Sequence, residues 1–337
     1  RSSYATRPRR KFMPRAIPSR NTPRGSMYRK PASKLTPREQ LHRQGYNFIA
    51  EDCSAAVKPC LWCKRAVRGG ESCYKHQFYG IETAKCVQMT PTLRCNQRCI
   101  FCWRSIETEI EDSRILSPAE IIESIPALQR KGLSGDKPFS DAAFWEEATT
   151  PPTQFAVSLS GEPTLYPHLP ELIERLKEGD HSVFVVSNGT VPEMVQKIAP
   201  TQLYLSLDAV DAESYAEICN PIGDAEYMWQ NVQASLALLK QKEAEGVRTA
   251  VRITLVAGCN DSVPEKFAKI IDDTQPMYVE IKGYMYLGYS RMRLSETAVP
   301  DMNAIRRFAS AVADACRYEI MDENEPSRVV CLRRRKI

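Results

Sequence analysis

The sequence lacks any hydrophobic run of the ~20 residues that a membrane-spanning helix requires. Its apolar stretches, such as 155–159 and 183–186, have the length of buried β-strands instead. Hydrophobic residues make up 43% and charged residues 26% of the 337 positions, which is the balance of a globular protein. We therefore predict a cytoplasmic protein without a membrane partner.

Acidic residues are absent from the first 34 positions, which carry eleven lysines and arginines. This composition shows no helical or strand period, so it predicts a basic tail over 1–34 that is disordered in isolation. Three interpretations stay open: a solvated tail without a function, an arm that contacts nucleic-acid phosphates, and a transit peptide. The segment has no apolar core of the kind found in secretory signals, so we do not expect secretion.

Cysteine, in contrast, is abundant, and eight of the twelve cysteines lie between Cys53 and Cys102. Disulfide-rich secreted chains are usually much smaller, whereas clustered cysteines in an intracellular protein indicate metal binding. The four scattered cysteines are interpreted as small buried residues: Cys219, Cys259, Cys316 and Cys331.

Strand and helix patterns alternate after position 86, which predicts a parallel sheet. About six units follow, so we predict an α/β fold with a partial (βα)6 barrel of the TIM type. Function in such folds gathers after the carboxyl ends of strands. We also expect a long loop over 134–153, one helix over 227–245 and a closing strand pair over 318–333. The predicted domains are a basic tail 1–34, a cysteine-bearing extension 35–85, a core 86–299 and a C-terminal elaboration 300–337.

A CxxxCxxC motif formed by Cys95, Cys99 and Cys102 follows the first predicted strand. Three thiolates at this spacing can bind three irons of a [4Fe–4S] cube and leave the fourth iron open to substrate. The alternative is structural zinc, with Cys86 or His76 as the fourth ligand. With Phe101 before the last cysteine, the motif resembles that of the radical S-adenosylmethionine superfamily. The resemblance implies a cluster that cleaves S-adenosylmethionine to a 5′-deoxyadenosyl radical.

Further polar motifs follow later strands, where this resemblance implies cofactor contacts. Ser160-Gly161-Glu162-Pro163 resembles the loop whose backbone receives the methionine amino group. Ser187-Asn188 resembles the loop that contacts the ribose or the carboxylate. Asp208 and Asn260 are further candidates, although each could equally be a cap or turn residue.

The upstream residues Cys60, Cys73 and Cys86 are regularly spaced, with twelve residues between neighbours. Three more thiolates could hold a second [4Fe–4S] cluster that again has an open iron. The alternatives are unrelated buried cysteines or a zinc site shared with Cys63. We predict no function for Cys53 or Cys63.

The upstream cysteines, together with segments 158–167 and 280–293, resemble those of the 4-demethylwyosine synthase (TYW1) family. The resemblance implies that pyruvate condenses with N1-methylguanosine at position 37 of phenylalanine tRNA. It implies two [4Fe–4S] clusters and S-adenosylmethionine as cofactors, and a carbon–carbon lyase activity. It also implies the shorter archaeal type without a flavodoxin-like domain, a monomer that depends on an external one-electron donor.

Lys75 lies two positions after Cys73, where the resemblance implies a Schiff base with pyruvate. Position alone favours the alternative of a surface lysine, because the chain has many lysines. Aromatic and arginine residues over 284–293 could stack on a splayed-out RNA base or pack under the sheet rim. Two other functions stay open: a zinc-bearing RNA-binding protein without catalysis, and a radical enzyme with another substrate.

Overall fold

The computed structural model describes residues 35–106, 113–179 and 181–335. The predicted basic tail over 1–34 and the last two positions, 336 and 337, lie outside the described residues. From Pro37 onward, the described chain forms one compact unit. No helix in this part of the chain is long and apolar enough to cross a membrane.

The segment that carries the upstream cysteines folds into short elements. They are α1 (Pro37–Arg43), β1 (Asn47–Phe48), β2 (Ala56–Val57), α2 (Leu61–Val67) and α3 (Tyr74–Tyr79). β1 and β2 pair with each other, and β2 pairs antiparallel with the first strand of the core. This segment therefore extends the main sheet at one edge.

Six parallel strands form the core, in sequence order across the sheet. They are β3 (Cys86–Thr90), β4 (Gln154–Val157), β5 (Ser182–Ser187), β6 (Gln202–Ser206), β7 (Arg248–Leu255) and β8 (Tyr278–Gly283). The parallel order confirms the predicted partial barrel with six βα units.

Helices connect these strands. They are α4 (Pro118–Leu133), α5 (Ala142–Thr149), α6 (Leu169–Lys177), α7 (Pro192–Lys197), α8 (Ala212–Ile218), α9 (Ala225–Ala237), α10 (Leu239–Ala244) and α11 (Pro264–Thr274). The loop expected over 134–153 contains α5, which Asp141 caps by accepting from two backbone N–H groups. The single helix expected over 227–245 is two helices, and α8 was not predicted.

The C-terminal elements close the opposite edge of the sheet. α12 (Met302–Asp314) precedes the hairpin of β9 (Tyr318–Asn324) and β10 (Val329–Arg334). β10 pairs antiparallel with β8, so the predicted strand pair is confirmed.

Alternation along the strands separates two layers of side chains. On β7, Val251 and Ile253 belong to the large apolar core that includes helix residues such as Leu172. Their neighbours Ala250 and Arg252 have the opposite orientation, toward the concave interior. Tyr204 and Phe184 lie in that interior with Ala250. The outer layer carries most of the apolar burial, which leaves the interior available for polar groups.

Candidate active site

The CxxxCxxC motif lies on one loop after β3, and this loop is held from two sides. The backbone N–H of Ile100 donates to the carbonyl oxygen of Ile218 in α8 (2.9 Å). The guanidinium of Arg293 donates to the carbonyl oxygens of Ile100 (3.1 Å) and Cys102. These bonds fix the path of the segment that carries the three thiols.

The three cysteines of this motif are half-buried residues. Burial raises the pKa of Cys95 to about 12, although the nearby guanidinium of Arg104 opposes the shift. A metal that binds the thiolate would therefore displace a proton. Three thiols on one fixed loop fit three irons of a cube and leave the fourth iron without a protein ligand.

Gly161 lies in the loop after β4, in direct backbone contact with the cysteine loop. Its φ is +80°, and a Cβ at this position would lie 2.2 Å from the carbonyl oxygen of Thr92 and 2.9 Å from Cα of Leu93. The hydroxyl of Thr90 donates to the carbonyl oxygen of Ser160 in the same contact (2.7 Å). Glycine is required because the two backbones approach closely at a positive φ.

Glu162 ties the loop after β4 to the loop after β5. Its Oε1 accepts from the backbone N–H (3.0 Å) and hydroxyl (2.7 Å) of Thr164 and from the hydroxyl of Ser187 (2.8 Å). Its Oε2 accepts from the backbone N–H of Asn188 (2.7 Å). Burial raises the pKa of Glu162, while these hydrogen bonds favour the carboxylate. Glu162 and Pro163, which begins a short 3₁₀ turn, thus shape the loop.

Asn96 continues this connection to the cysteine loop and was not identified from the sequence. Its Oδ1 accepts from the amide of Asn188 (2.9 Å), and its amide donates to the hydroxyl of Thr190 (2.7 Å). Its carbonyl oxygen accepts from the backbone N–H of Ile222 (2.8 Å). In the sequence, Asn96 could have been identified as a candidate by its position directly after Cys95.

Asp208 and Asn260 follow β6 and β7, as predicted, and meet in space. Oδ1 of Asp208 accepts from the backbone N–H of Thr254 (2.6 Å), and burial raises the pKa of Asp208 to about 6. The amide of Asn260 donates to the carbonyl oxygens of Asp208 and Thr254 (3.0 Å each), and its Oδ1 accepts from the N–H of Val256. Asn260 therefore uses its polar atoms to hold these loops together.

A cavity of about 650 Å³ opens beside the cysteine loop. Its lining includes Gln40, Arg94, Cys95, Asn96, Ser160 and Ile222. This volume is typical of small-molecule and cofactor sites.

The upstream cysteines form a second group. Cys60 precedes α2, Cys73 precedes α3 and Cys86 begins β3. Burial raises the pKa of Cys86, and the charges of Cys60 and Cys73 raise it further. Because each thiol is within electrostatic range of the others, the fold brings together three residues that are distant in sequence.

The two other cysteines of this part of the chain, Cys63 and Cys53, form hydrogen bonds with backbone carbonyl oxygens. The thiol of Cys63 donates to the carbonyl oxygen of Ala84 (3.5 Å), and that of Cys53 to Ala50 (3.5 Å). Within the described ranges, no three His, Cys, Asp or Glu side chains converge closely enough to hold one metal ion. In an iron–sulfur cube each thiolate binds its own iron, so the ligands stay further apart than around one ion.

Lys75 extends from α3 into the interior of the barrel. Its Nζ lies 4.6 Å from the ring centroid of Tyr204 and 5.2 Å from that of Phe184. Burial lowers the pKa of Lys75, and the positive charge of Arg252 lowers it further. The side chain thus lies in an aromatic and cationic environment beside the second cysteine group.

A buried ionic network next to Lys75 was not predicted. The carboxylate of Glu280 accepts from the guanidinium of Arg252 (3.0 Å) and from the hydroxyls of Tyr74 (3.0 Å) and Tyr79 (2.8 Å). Arg252 also donates to the hydroxyl of Tyr74 (2.7 Å). The parallel register places Arg252 of β7 opposite Glu280 of β8, which explains the pair.

The aromatic segment after β8 divides into packed and exposed parts. Tyr284 is buried, and its hydroxyl is hydrogen bonded to Ser290 (2.9 Å). Met285 and Leu287 are exposed. The packing interpretation therefore holds for Tyr284, whereas contact of the segment with RNA stays a prediction.

Two family profiles match the chain. The Radical SAM superfamily matches residues 89–271, and the family described as wyosine base formation matches residues 273–334. The first profile covers the cysteine loop and the strands β4 to β7, and the second covers β8 and the C-terminal hairpin.

Individual proteins are also similar. The chain is 42% identical over 310 residues to the S-adenosyl-L-methionine-dependent tRNA 4-demethylwyosine synthase of Pyrococcus horikoshii, covering 88% of each protein. It is 37% identical to the enzyme of the same name from Methanocaldococcus jannaschii, covering 87% of this chain and 94% of the relative. A solved structure of TYW1 with a lysine–pyruvate adduct superposes with a TM-score of 0.79 at 37% identity, covering 89% of this chain and 96% of that one.

Proposed function

The chain belongs to the radical S-adenosylmethionine family that forms the wyosine base, and from this membership we propose that it is a tRNA 4-demethylwyosine synthase. It condenses pyruvate with N1-methylguanosine at position 37 of phenylalanine tRNA and closes a third ring on the base. The observation that carries this proposal is the meeting of Lys75 with Cys60, Cys73 and Cys86 inside the barrel.

Cys95, Cys99 and Cys102 would hold the [4Fe–4S] cluster on which this family depends. Together with S-adenosylmethionine, the bound cluster supplies the 5′-deoxyadenosyl radical that starts the chemistry. The chain's part is to keep the cysteine loop in place, through Arg293 and the end of α8. The close contact of Gly161 with this loop holds the next loop directly beside the cluster ligands.

The loops after β4, β5 and β6 would bind S-adenosylmethionine. The backbone at Ser160-Gly161 would receive the methionine amino group, since the Glu162 carboxylate is occupied by donors from neighbouring loops. Ser187-Asn188 would contact the ribose or carboxylate. Asp208 would be a further contact, because its buried carboxylate follows β6 at the same end of the parallel sheet as these loops.

A second [4Fe–4S] cluster would be held by Cys60, Cys73 and Cys86. Cys60 and Cys73 immediately precede two short helices, and Cys86 begins the first core strand. Cys73 and Cys86 pack with the interior residues Phe184 and Tyr204. Such a cluster would lie beside Lys75, where its open iron could accept a substrate oxygen.

Lys75 would form a Schiff base with pyruvate. Its amine nitrogen attacks the keto carbon, a carbon–nitrogen bond forms, and the keto oxygen leaves as water. The rings of Tyr204 and Phe184 hold Nζ inside the barrel, where bulk water is largely excluded. An external one-electron donor would supply the reducing electron, and the enzyme would act as a monomer.

Iron content and product analysis test this function. Anaerobic reconstitution should give about eight irons per chain, the content of two cubes. Incubation with methylated tRNA, pyruvate, S-adenosylmethionine and dithionite should give the tricyclic base, detected by mass spectrometry of the nucleosides. Cys86→Ala should lower the iron to about four per chain, whereas Cys259→Ala, at an exposed cysteine, should leave both iron and product unchanged. No tricyclic base from the unchanged protein would refute the function.

Borohydride reduction tests the role of Lys75 separately. Labelled pyruvate should become covalently attached to the unchanged protein and to Lys266→Ala, a variant of an exposed lysine. Lys75→Ala should trap no label. Equal labelling of Lys75→Ala would show that another amine reacts.

A further inference from the structure

Lys282 on β8 is a half-buried cation that has no carboxylate partner. Its Nζ donates to the carbonyl oxygen of Ser327 (2.7 Å) and lies 5.0 Å from the ring centroid of Tyr74. An ammonium group has three donors, so two remain available. Within the described residues, Lys282 makes no ion pair.

The neighbouring carboxylate is already occupied. Both oxygens of Glu280 accept hydrogen bonds, from Tyr79 on one side and from Tyr74 and Arg252 on the other. Arg252 uses Nε and Nη2 in these contacts, while its Nη1 makes no hydrogen bond within the described part of the chain. The network therefore satisfies Glu280 and leaves donors on both cations.

The charges in this interior do not balance. Lys75, Arg252 and Lys282 lie within electrostatic range of one another, and Glu280 is the one carboxylate that acts on all three. Buried charges are costly unless they are paired and hydrogen bonded. A cluster on the upstream cysteines would bring further negative charge, but it would not supply an acceptor to each free donor. The arrangement therefore favours an anionic ligand with several oxygen acceptors.

We propose that Lys282 and Nη1 of Arg252 bind the carboxylate of the 2-oxo acid that reacts at Lys75. This inference rests on the proposed function of Lys75. In a 2-oxo acid the carboxylate is bonded directly to the keto carbon, so attack by Nζ leaves the carboxylate within a few ångströms of the lysine. The competing location for this carboxylate is the open iron of a cluster on the upstream cysteines.

Trapping with borohydride tests the subsite without turnover. The amount of trapped label is measured against the concentration of pyruvate and of methyl pyruvate, its uncharged ester. The proteins are the unchanged chain, Lys282→Gln, Lys282→Arg and the control Lys266→Gln. Gln keeps a donor for the carbonyl of Ser327 but removes the charge, whereas Arg keeps the charge.

Lys282→Gln should raise the half-saturating pyruvate concentration by about 10- to 100-fold, the range for loss of a charged hydrogen bond. Its half-saturation by methyl pyruvate should stay unchanged, so the preference for pyruvate over the ester should fall by the same factor. Lys282→Arg should keep most of the preference, and Lys266→Gln all of it.

The experiment distinguishes failure of the proposed role of Lys75 from failure of the proposed carboxylate site. If the unchanged protein traps no pyruvate, the proposed role of Lys75 fails. If trapping occurs but Lys282→Gln keeps the full preference for pyruvate, the carboxylate lies elsewhere and the inference is overturned. If Lys282→Gln weakens both ligands equally, Lys282 acts on the fold of the pocket and not on the carboxylate, which also overturns it.

Discussion

Replacing Gly161 by alanine should separate the cysteine loop from the loop after β4. The new Cβ would lie 2.2 Å from the carbonyl oxygen of Thr92 and 2.9 Å from Leu93, and both contacts are with backbone atoms that cannot rotate away. An alanine at φ +80° costs about 1–2 kcal/mol for the left-handed conformation alone. Relief of the clash by backbone shifts adds about 1–3 kcal/mol.

Gly246→Ala is the matched control for this prediction. Gly246 has a similar φ of +84°, but a Cβ there would meet nothing within 4 Å. Both variants should be less stable because alanine disfavours a positive φ. Only Gly161→Ala should lose additional stability through the steric clash. Urea unfolding of the metal-free chains measures this difference, and equilibrium dialysis of reconstituted protein measures S-adenosylmethionine affinity. Equal stabilities of the two variants, or unchanged affinity in Gly161→Ala, would refute the reasoning.

Three further predictions follow from single contacts. Arg293→Met should lower iron retention after reconstitution because it releases the cysteine loop, whereas Arg291→Met, which loses only an exposed stacking contact, should retain iron. Glu162→Gln should destabilise the chain in urea by about 1–3 kcal/mol, since an amide would face donors such as the N–H of Asn188; unchanged stability would mean that the loops repack. Burial lowers the pKa of Lys282 from 10.5 to about 8. Between about pH 8 and pH 10.5 the Lys282 amine is therefore protonated in the unfolded chain but largely neutral in the folded chain. The contribution of this residue to the free energy of unfolding thus increases with pH over that interval. Lys282→Gln should remove this contribution when the free energy of unfolding is measured against pH. If the variant and the unchanged protein show the same dependence on pH, Lys282 is not the group responsible.

The sequence predicted features that depend on local patterns. The apolar residues of segment 169–177 repeat at helical spacing and predict a helix there, and α6 has these bounds. Ser117 followed by Pro118 and Glu120 likewise predicts a capped helix start, and α4 begins with this capping box. In contrast, α8 was missed although Asp211 and Ser214 form a capping box, because the helix has only seven residues and a weak period.

The charged interior could not be predicted from local patterns. Arg252 and Glu280 are 28 positions apart and meet because β7 and β8 pair in one particular register. A shift of β8 by one residue against β7 would turn Glu280 toward the helices and away from Arg252. The interior position of Lys75 likewise depends on how α3 enters the barrel, which no periodicity encodes.

The ionic interior is better explained by function than by stability. Interiors of such barrels are usually filled by branched apolar side chains, and replacing a buried ion pair with apolar residues is often neutral or stabilising. Here the outer apolar layer already supplies a continuous core from β3 to α12. The interior instead holds Glu280 with no exposure, saturated by Tyr74, Tyr79 and Arg252. A saturated carboxylate fixes the orientation of Arg252 while leaving one of its nitrogens available. The network therefore holds the cationic side chains in fixed positions, although burying these charges costs desolvation free energy. A fixed cationic pocket of this kind suits a small anionic co-substrate.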